Sequence, residues 1–237
     1  MTTDPRLDII GAALADASRM RILCELMDGR AFTNKELACA ADISPQTASV
    51  HLKVLEAAGF TASLRSGRHV YHRIAGPEVA EVLEKLSSLS PSDHLMRRSQ
   101  GAKTVTDALL ARSCYNHMAG RLGVLITERL AALGVIRLGD ETVTCGPQCR
   151  AFCDRLGIAM PKPGAGKPLV KLCLDWTERR HHISGPLATA ILERALAMHW
   201  LDRRAGSRAL MITADGYAAF DLWFGLGKEA IDGAGAA

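Results

Sequence analysis

A mainly helical fold with small β-hairpins is predicted for this chain of 237 residues, and three observations predict it. Apolar residues recur at three-to-four spacing in Leu7, Ile10 and Leu14, and again in Ile22, Leu23 and Leu26, the stripe of a helix packed along one face. Helix-start chemistry precedes the next two stretches: Thr33 stands three residues before Glu36, and Ser44 is followed by Pro45. Short extended segments flank turn dipeptides such as Ser66-Gly67. A hydrophobic share of 48% is enough to build a core. No apolar run reaches the roughly 18 residues of a membrane span. Residues 1–5 lack the basic and apolar stretches of a secretory signal, so a cytoplasmic protein with no membrane partner is expected.

Taken in order, helices are expected over 6–15 and 18–27, with Asp28 and Gly29 stopping the second. A short helix follows over 34–41. The next runs from Pro45 to about Ala58, burying Ala48, Leu52 and Leu55, and Gly59 supplies the left-handed residue that ends it. Strands are expected over 61–65 and 69–74. Helix, short helix, turn, helix, hairpin is the order of a winged helix-turn-helix, a fold that reads double-stranded DNA. After Gly76-Pro77, the positions Val79, Val82, Leu83 and Leu86 predict a further helix, the first candidate for a dimer contact. Residues 87–106 are then polar. The expected organisation is a DNA-binding domain over 1–76, a dimer helix and linker over 77–110, and a helical C-terminal sensor or dimerisation domain over 111–237. That last domain is expected to be helical from about Ala111 to Leu133. The pattern of helix end, strand, turn and strand at 133–144 and 198–212 echoes 58–74. Either degenerate winged-helix-like units or plain helix-hairpin-helix packing produces it.

A helix lying in the major groove must carry short polar and basic side chains on one stripe, because base edges are read by hydrogen bonds and phosphates by charge. Gln46, Ser49, Val50 and Lys53 fall on such a stripe, opposite the buried one. The Gln46 amide suits an adenine edge and Val50 a thymine methyl. Thr47, His51 and Lys53 suit backbone positioning, and Ser44, the cap of this helix, is counted with the DNA-binding residues. The hairpin adds Arg65, Arg68 and His69 for phosphates or a minor groove. The whole chain carries only +4, yet the stretch from Ser44 to Arg73 alone carries a net +3.

Lys35-Glu36-Leu37-Ala38, the run from Ile43 to Phe60, and the run from Gly67 to Ile74 resemble the ArsR family of small dimeric repressors, over about residues 6–76. The resemblance implies a homodimer on a palindromic operator. It also implies release by an inducer, commonly a metal or metalloid such as cadmium, lead or arsenic. Val50 stands where the family often has a polar or basic residue. The runs from Ala111 to Gly123 and from Cys173 to Arg180 resemble a longer, metal-responsive subgroup of the same family.

Seven cysteines, an odd number, suit thiols and ligands better than a disulfide framework. At the family's usual ligand positions there is only Cys39 on one helix, and only Asp93 and His94 further on, so both look incomplete. Cys145, Cys149 and Cys153 recur at a spacing of four, which on a helix brings successive thiols to one face. Gly146-Pro147 can bend the chain there, and a helix N-terminus would favour a Cys145 thiolate. Thiolates select soft ions, while small apolar core packing accounts for the same cysteines equally well. Cys114 and His117, three apart on the expected helix, form either half of a metal site or part of a structural interface. Cys173 beside Trp176 reads as packing, and adjacent His181 and His182 point apart on a helix.

No cofactor is obligatory, and a soft metal or metalloid ion is the expected effector. A thiol redox switch on the same DNA scaffold is the alternative. A metal-binding or catalytic protein that uses its winged helix as an interaction module is a second. No nucleophile elbow or dinucleotide loop is present, and the run from Pro163 to Pro168 lacks phosphate-loop spacing and reads as a linker, so an enzyme is not expected.

Overall fold

Cap chemistry sets where the early helices begin. Helix α1 spans Leu7–Leu14 and α2 spans Ala17–Leu26; the Asp16 carboxylate accepts from the backbone N–H groups of Ser18 and Arg19 at the start of α2. Strand β1 (Phe32–Thr33) leads into α3 (Asn34–Ala41), where Thr33 and Glu36 cap one another reciprocally. Asp42, in the left-handed region, turns the chain to α4 (Pro45–Ala57), which opens with the Ser44 hydroxyl accepting from Thr47 N–H. Strands β2 (Thr61–Ser66) and β3 (His69–Ile74) pair antiparallel from Thr61 opposite Ile74 to Ser66 opposite His69, and β1 joins the other edge of β3. Ile22, Leu26, Leu37, Ala48, Leu52 and Leu55 are buried, the apolar stripes that the sequence sets out. This is the predicted winged helix-turn-helix.

Residues 4–90, 102–162 and 168–233 are described by this computed structural model, in two compact units, Met1–Leu83 and Glu84–Ala237. Asp93, His94 and residues 163–167 lie outside the described residues. Helix α5 (Pro77–Ser88) carries the chain from the first unit into the second.

After the end of α5, the second unit has α6 (Ala102–Leu110) and then builds one pattern twice. The first copy is β4 (Arg112–Cys114), β5 (His117–Ala119), α7 (Arg121–Ala132), β6 (Ile136–Leu138), β7 (Val143–Cys145) and α8 (Cys149–Leu156). The second is β8 (Lys171–Leu174), β9 (His181–Ser184), α9 (Pro186–Ala197), β10 (Leu201–Arg203), β11 (Leu210–Ile212) and α10 (Ala214–Phe224), closed by α11 (Lys228–Asp232). Each copy is thus hairpin, helix, hairpin, helix. Leu122, Ile126 and Leu130 of α7 share one core with Leu187 and Ile191 of α9 and with Phe152, Phe220 and Phe224.

The single helix expected from Ala111 to Leu133 is corrected here: residues 112–119 form a hairpin ahead of α7. Two local features break the helix. Tyr115 turns at φ 55°, and Gly120 sits at φ 78°, where a Cβ would lie 2.7 Å from the Leu109 carbonyl oxygen. The third cause is distant in sequence, since Ser113 N–H donates to Arg208 O and Leu210 N–H to Ala111 O.

Candidate metal centre and nucleic-acid interface

Directly opposed residues on a hairpin present their side chains to the same face. In the β4–β5 hairpin, Cys114 is opposite His117; in the β8–β9 hairpin, Cys173 is opposite His182. The two histidines are 65 residues apart, the same offset that separates the start of α7 from that of α9. The two copies therefore each bring one sulfur and one nitrogen. All four residues are buried, and their four ligand atoms lie within 4.8 Å of one another. A tetrahedral ion with bonds of about 2.0–2.3 Å needs ligand atoms about 3.3–3.8 Å apart, so this donor set fits one with small adjustment.

The surrounding groups hold the set in place. His117 Nε2 and His182 Nε2 are 3.0 Å apart. Burial lowers the His182 imidazole, while for His117 the same burial is outweighed by Cys114 and Glu84 and its value rises. On the far side of the ring, His182 Nδ1 lies 3.4 Å from Asp175 Oδ2, without completing a hydrogen bond. Asp175 is itself locked: Arg112 Nη2 donates to Oδ1 at 2.8 Å, Gly120 N–H donates to Oδ2 at 2.7 Å, and the Thr177 hydroxyl donates to Oδ1 at 2.6 Å. Burial opposes its ionisation, but Arg112, Thr177 and His182 prevail and keep its carboxyl well below the usual range.

Glu84, on α5, closes one side of the set. Its Oε1 is hydrogen bonded to Cys114 Sγ at 3.4 Å, its Oε2 accepts from Cys173 Sγ at 3.3 Å, and His117 Nε2 is 3.9 Å away. Burial, and then Cys114, push the Glu84 carboxyl up to about 8. The hydrogen bond from Cys173, aided by His117, holds the Cys114 thiol well below its ordinary value, and the same bond drives Cys173 up. In the ion-free arrangement both thiols donate to the Glu84 carboxyl group, Cys114 Sγ to Oε1 and Cys173 Sγ to Oε2.

Among the described residues, Cys145, Cys149 and Cys153 form no comparable ligand group. Cys145 ends β7, and α8 begins only at Cys149, so the three do not share one helix. Cys149 and Cys153 are buried beside Phe152 and Leu156, and burial raises both thiols, the reverse of a poised thiolate. Cys114 and His117 face one another across strands instead of sitting three apart on a helix. Cys173 and His182, read from the sequence as packing and as a weak pair, complete their site. The Trp176 ring stacks instead on the Arg112 guanidinium, 4.6 Å from its centroid.

On α4, Gln46, Ser49, Val50 and Lys53 are exposed along one face, opposite Ala48, Leu52 and Leu55. Ser44 and Thr47 are also exposed, but their hydroxyls bond each other at 2.9 Å in the cap. His51 is turned inward, with Nδ1 3.3 Å from Arg19 Nη1 and Nε2 3.8 Å from Asp16 Oδ1; it braces α4 against α2. In the wing Arg65, Arg68 and His69 are exposed, and Arg68 Nε donates to His69 Nε2 at 3.2 Å.

A winged helix-turn-helix with an open polar stripe on its second helix and a cationic hairpin defines a DNA-binding regulator. A family described as a helix-turn-helix domain matches residues 14–63. The HTH-type transcriptional regulator YdfF of Bacillus subtilis is 36% identical over 219 residues, which covers 92% of this chain and 96% of YdfF. The HTH-type transcriptional regulator CmtR of Mycobacterium bovis is 34% identical over 77 residues, 32% of this chain and 64% of CmtR. An NMR structure of the cadmium metal-sensor CmtR from Mycobacterium tuberculosis superimposes with a TM-score of 0.31 at 28% identity, covering 40% of this chain and 96% of that one. This chain belongs to the HTH-type transcriptional regulators, and its relation to YdfF runs through both units. No helix among the described residues is long and apolar enough to cross a membrane.

Proposed function

We propose that this regulator binds operator DNA as a homodimer, represses from it, and is released when a borderline or soft divalent ion is held by Cys114, His117, Cys173 and His182. The gathering of those four ligand atoms within 4.8 Å, from two equivalent hairpins, carries the reading. Two thiolates with two imidazoles suit tetrahedral zinc or cadmium, whereas an oxygen-seeking ion such as magnesium finds no partner set here. Asp175 behind His182 supplies the carboxylate that commonly orients a ligating imidazole. Gln46, Ser49, Val50 and Lys53 read bases or phosphates, and Arg65, Arg68 and His69 hold the backbone. For the dimer, α5 buries Ala80 and Leu83 but leaves Val82 and Leu86 exposed, an apolar edge for a second copy.

The test is fluorescence anisotropy of the reduced protein on DNA from upstream of its own gene, with zinc, cadmium, cobalt, lead and arsenite added in turn. Zinc or cadmium should weaken binding at least about tenfold, a coupling of about 1.4 kcal/mol. The double variant Cys114→Ser, Cys173→Ser should bind the same DNA and ignore the ion. Specific DNA binding that no ion alters would sink the metal reading; the absence of any specific DNA binding would favour a winged helix used as an interaction module.

A thiol switch at the same pair is the second reading, favoured by the depressed Cys114 thiol with Cys173 beside it. Peroxide would oxidise the Cys114 thiolate to a sulfenic acid with loss of one water, and Cys173 would displace a second water to close the disulfide. Release by peroxide from an ion-free protein, and protection by zinc, would identify it.

A further inference from the structure

We propose that Glu84 is the coupling residue of this regulator: its carboxyl group caps the ion-free donor set, and an ion bound by all four ligands breaks that cap and frees the end of α5. The inference rests on the metal reading above. Glu84 touches three of the four donors, at 3.4 Å to Cys114 Sγ, 3.3 Å to Cys173 Sγ and 3.9 Å to His117 Nε2. Its side chain is only 14% exposed, so it has few alternatives nearby. It stands on α5, the one helix through which the chain passes from the reading unit into the second unit.

The effect follows from counting protons. Each sulfur–oxygen contact at 3.3–3.4 Å needs a proton between its two atoms. When a divalent ion takes both sulfurs as thiolates, the protons they held pass to solvent, and charge is conserved because two positive charges enter. At most one proton then remains, on the carboxyl itself, for two contacts. At least one oxygen must face a sulfur with no proton between them, inside a buried site where such a contact is costly. With two thiolates and two imidazoles the ion's four positions are full and its charge is balanced, so the carboxyl is not needed as a further ligand.

Beyond Glu84 the last turn of α5 is tied to the same unit through Arg179, whose guanidinium donates to the carbonyls of Ser88 and Ser90, at 2.9 Å each. Ion binding therefore removes the Glu84 contact of α5 and leaves the Arg179 tether. The device loosens the helix without detaching the chain.

Hydrogen–deuterium exchange over residues 77–88 of the full-length protein, with and without one equivalent of zinc, tests this without any DNA. Zinc should speed exchange of the amides around Glu84 by about tenfold, a change that local opening can supply. In Glu84→Ala those amides should exchange fast from the start and ignore zinc. In Glu84→Gln the amide N–H₂ can still donate to thiolates, so zinc should bind and the helix should stay protected. Cobalt supplies the control on the site itself through its visible spectrum. If cobalt does not bind, or binds equally well in Cys114→Ser, Cys173→Ser, the metal reading is overturned and this inference with it. If cobalt binds to those ligands but zinc slows exchange in α5 or leaves it unchanged, only the coupling role is overturned. The same holds if the cobalt spectrum is five-coordinate and becomes tetrahedral in Glu84→Gln, because Glu84 is then a ligand.

Discussion

Asp175 is fully buried and serves several neighbours at once: it neutralises Arg112, which is 2% exposed, it fixes the Gly120 backbone, and it stands behind His182. Asp175→Asn leaves that guanidinium buried without its counter-charge and should cost about 3–5 kcal/mol in a denaturant melt. Because the folded value of this carboxyl is depressed below the ordinary 3.8, its contribution is present above that pH and is lost as pH falls through the folded value. The wild-type second unit should therefore lose stability on acidification below about pH 4, and the variant should show little of that loss. Cysteines divide in the same manner. Cys145→Ser should leave cobalt binding unchanged, while Cys114→Ser should lower cobalt affinity at least about a hundredfold, read from the sulfur-to-metal absorption. Cysteine spacing alone pointed the other way, because three thiols at intervals of four look like one helical face. The chain instead puts β7, a turn and then α8 across that stretch, and burial absorbs the last two.

At the scale of elements, the reading unit was legible because its signals are local. Thr33 with Glu36, and Ser44 with Pro45, mark helix starts within four residues of themselves, and α3 and β3 have the expected limits. The β4–β5 hairpin was not legible, since part of its pairing comes from Arg208, 95 residues away. One signal was available: His117 and His182 stand at the same place before Gly120 and Gly185, and each glycine opens a matching helix. The cysteines hide the repeat because the first hairpin turns in two residues and the second in six, so Cys–His spacings differ. Gly120→Ala should confirm how closely the hairpin is packed. It forces a Cβ against Leu109 O at positive φ, should cost about 1–3 kcal/mol, and should weaken cobalt binding because β5 carries His117. In the wing, Arg65→Ala or Arg68→Ala should each reduce the salt dependence of DNA binding by about one unit of slope, measured by anisotropy across a salt series.

For the whole molecule, the division into Met1–Leu83 and Glu84–Ala237 puts the helix-turn-helix in one unit and the four donors in the other. Calorimetry should show two unfolding transitions, of which zinc raises only one. At a hundredfold excess over its dissociation constant, zinc should add about 2.7 kcal/mol to that transition. A single transition shifted as one body would contradict the separation. The duplicated hairpins have one further consequence, which concerns concentration. A chain carrying one such half would own a single sulfur and a single nitrogen, and would have to meet another molecule before an ion could be enclosed. Such a receptor would respond to its own abundance as much as to the metal. With both halves on one chain the second pair of donors is always at hand, at an effective concentration set by the fold. Dilution leaves that set of four side chains complete within one chain.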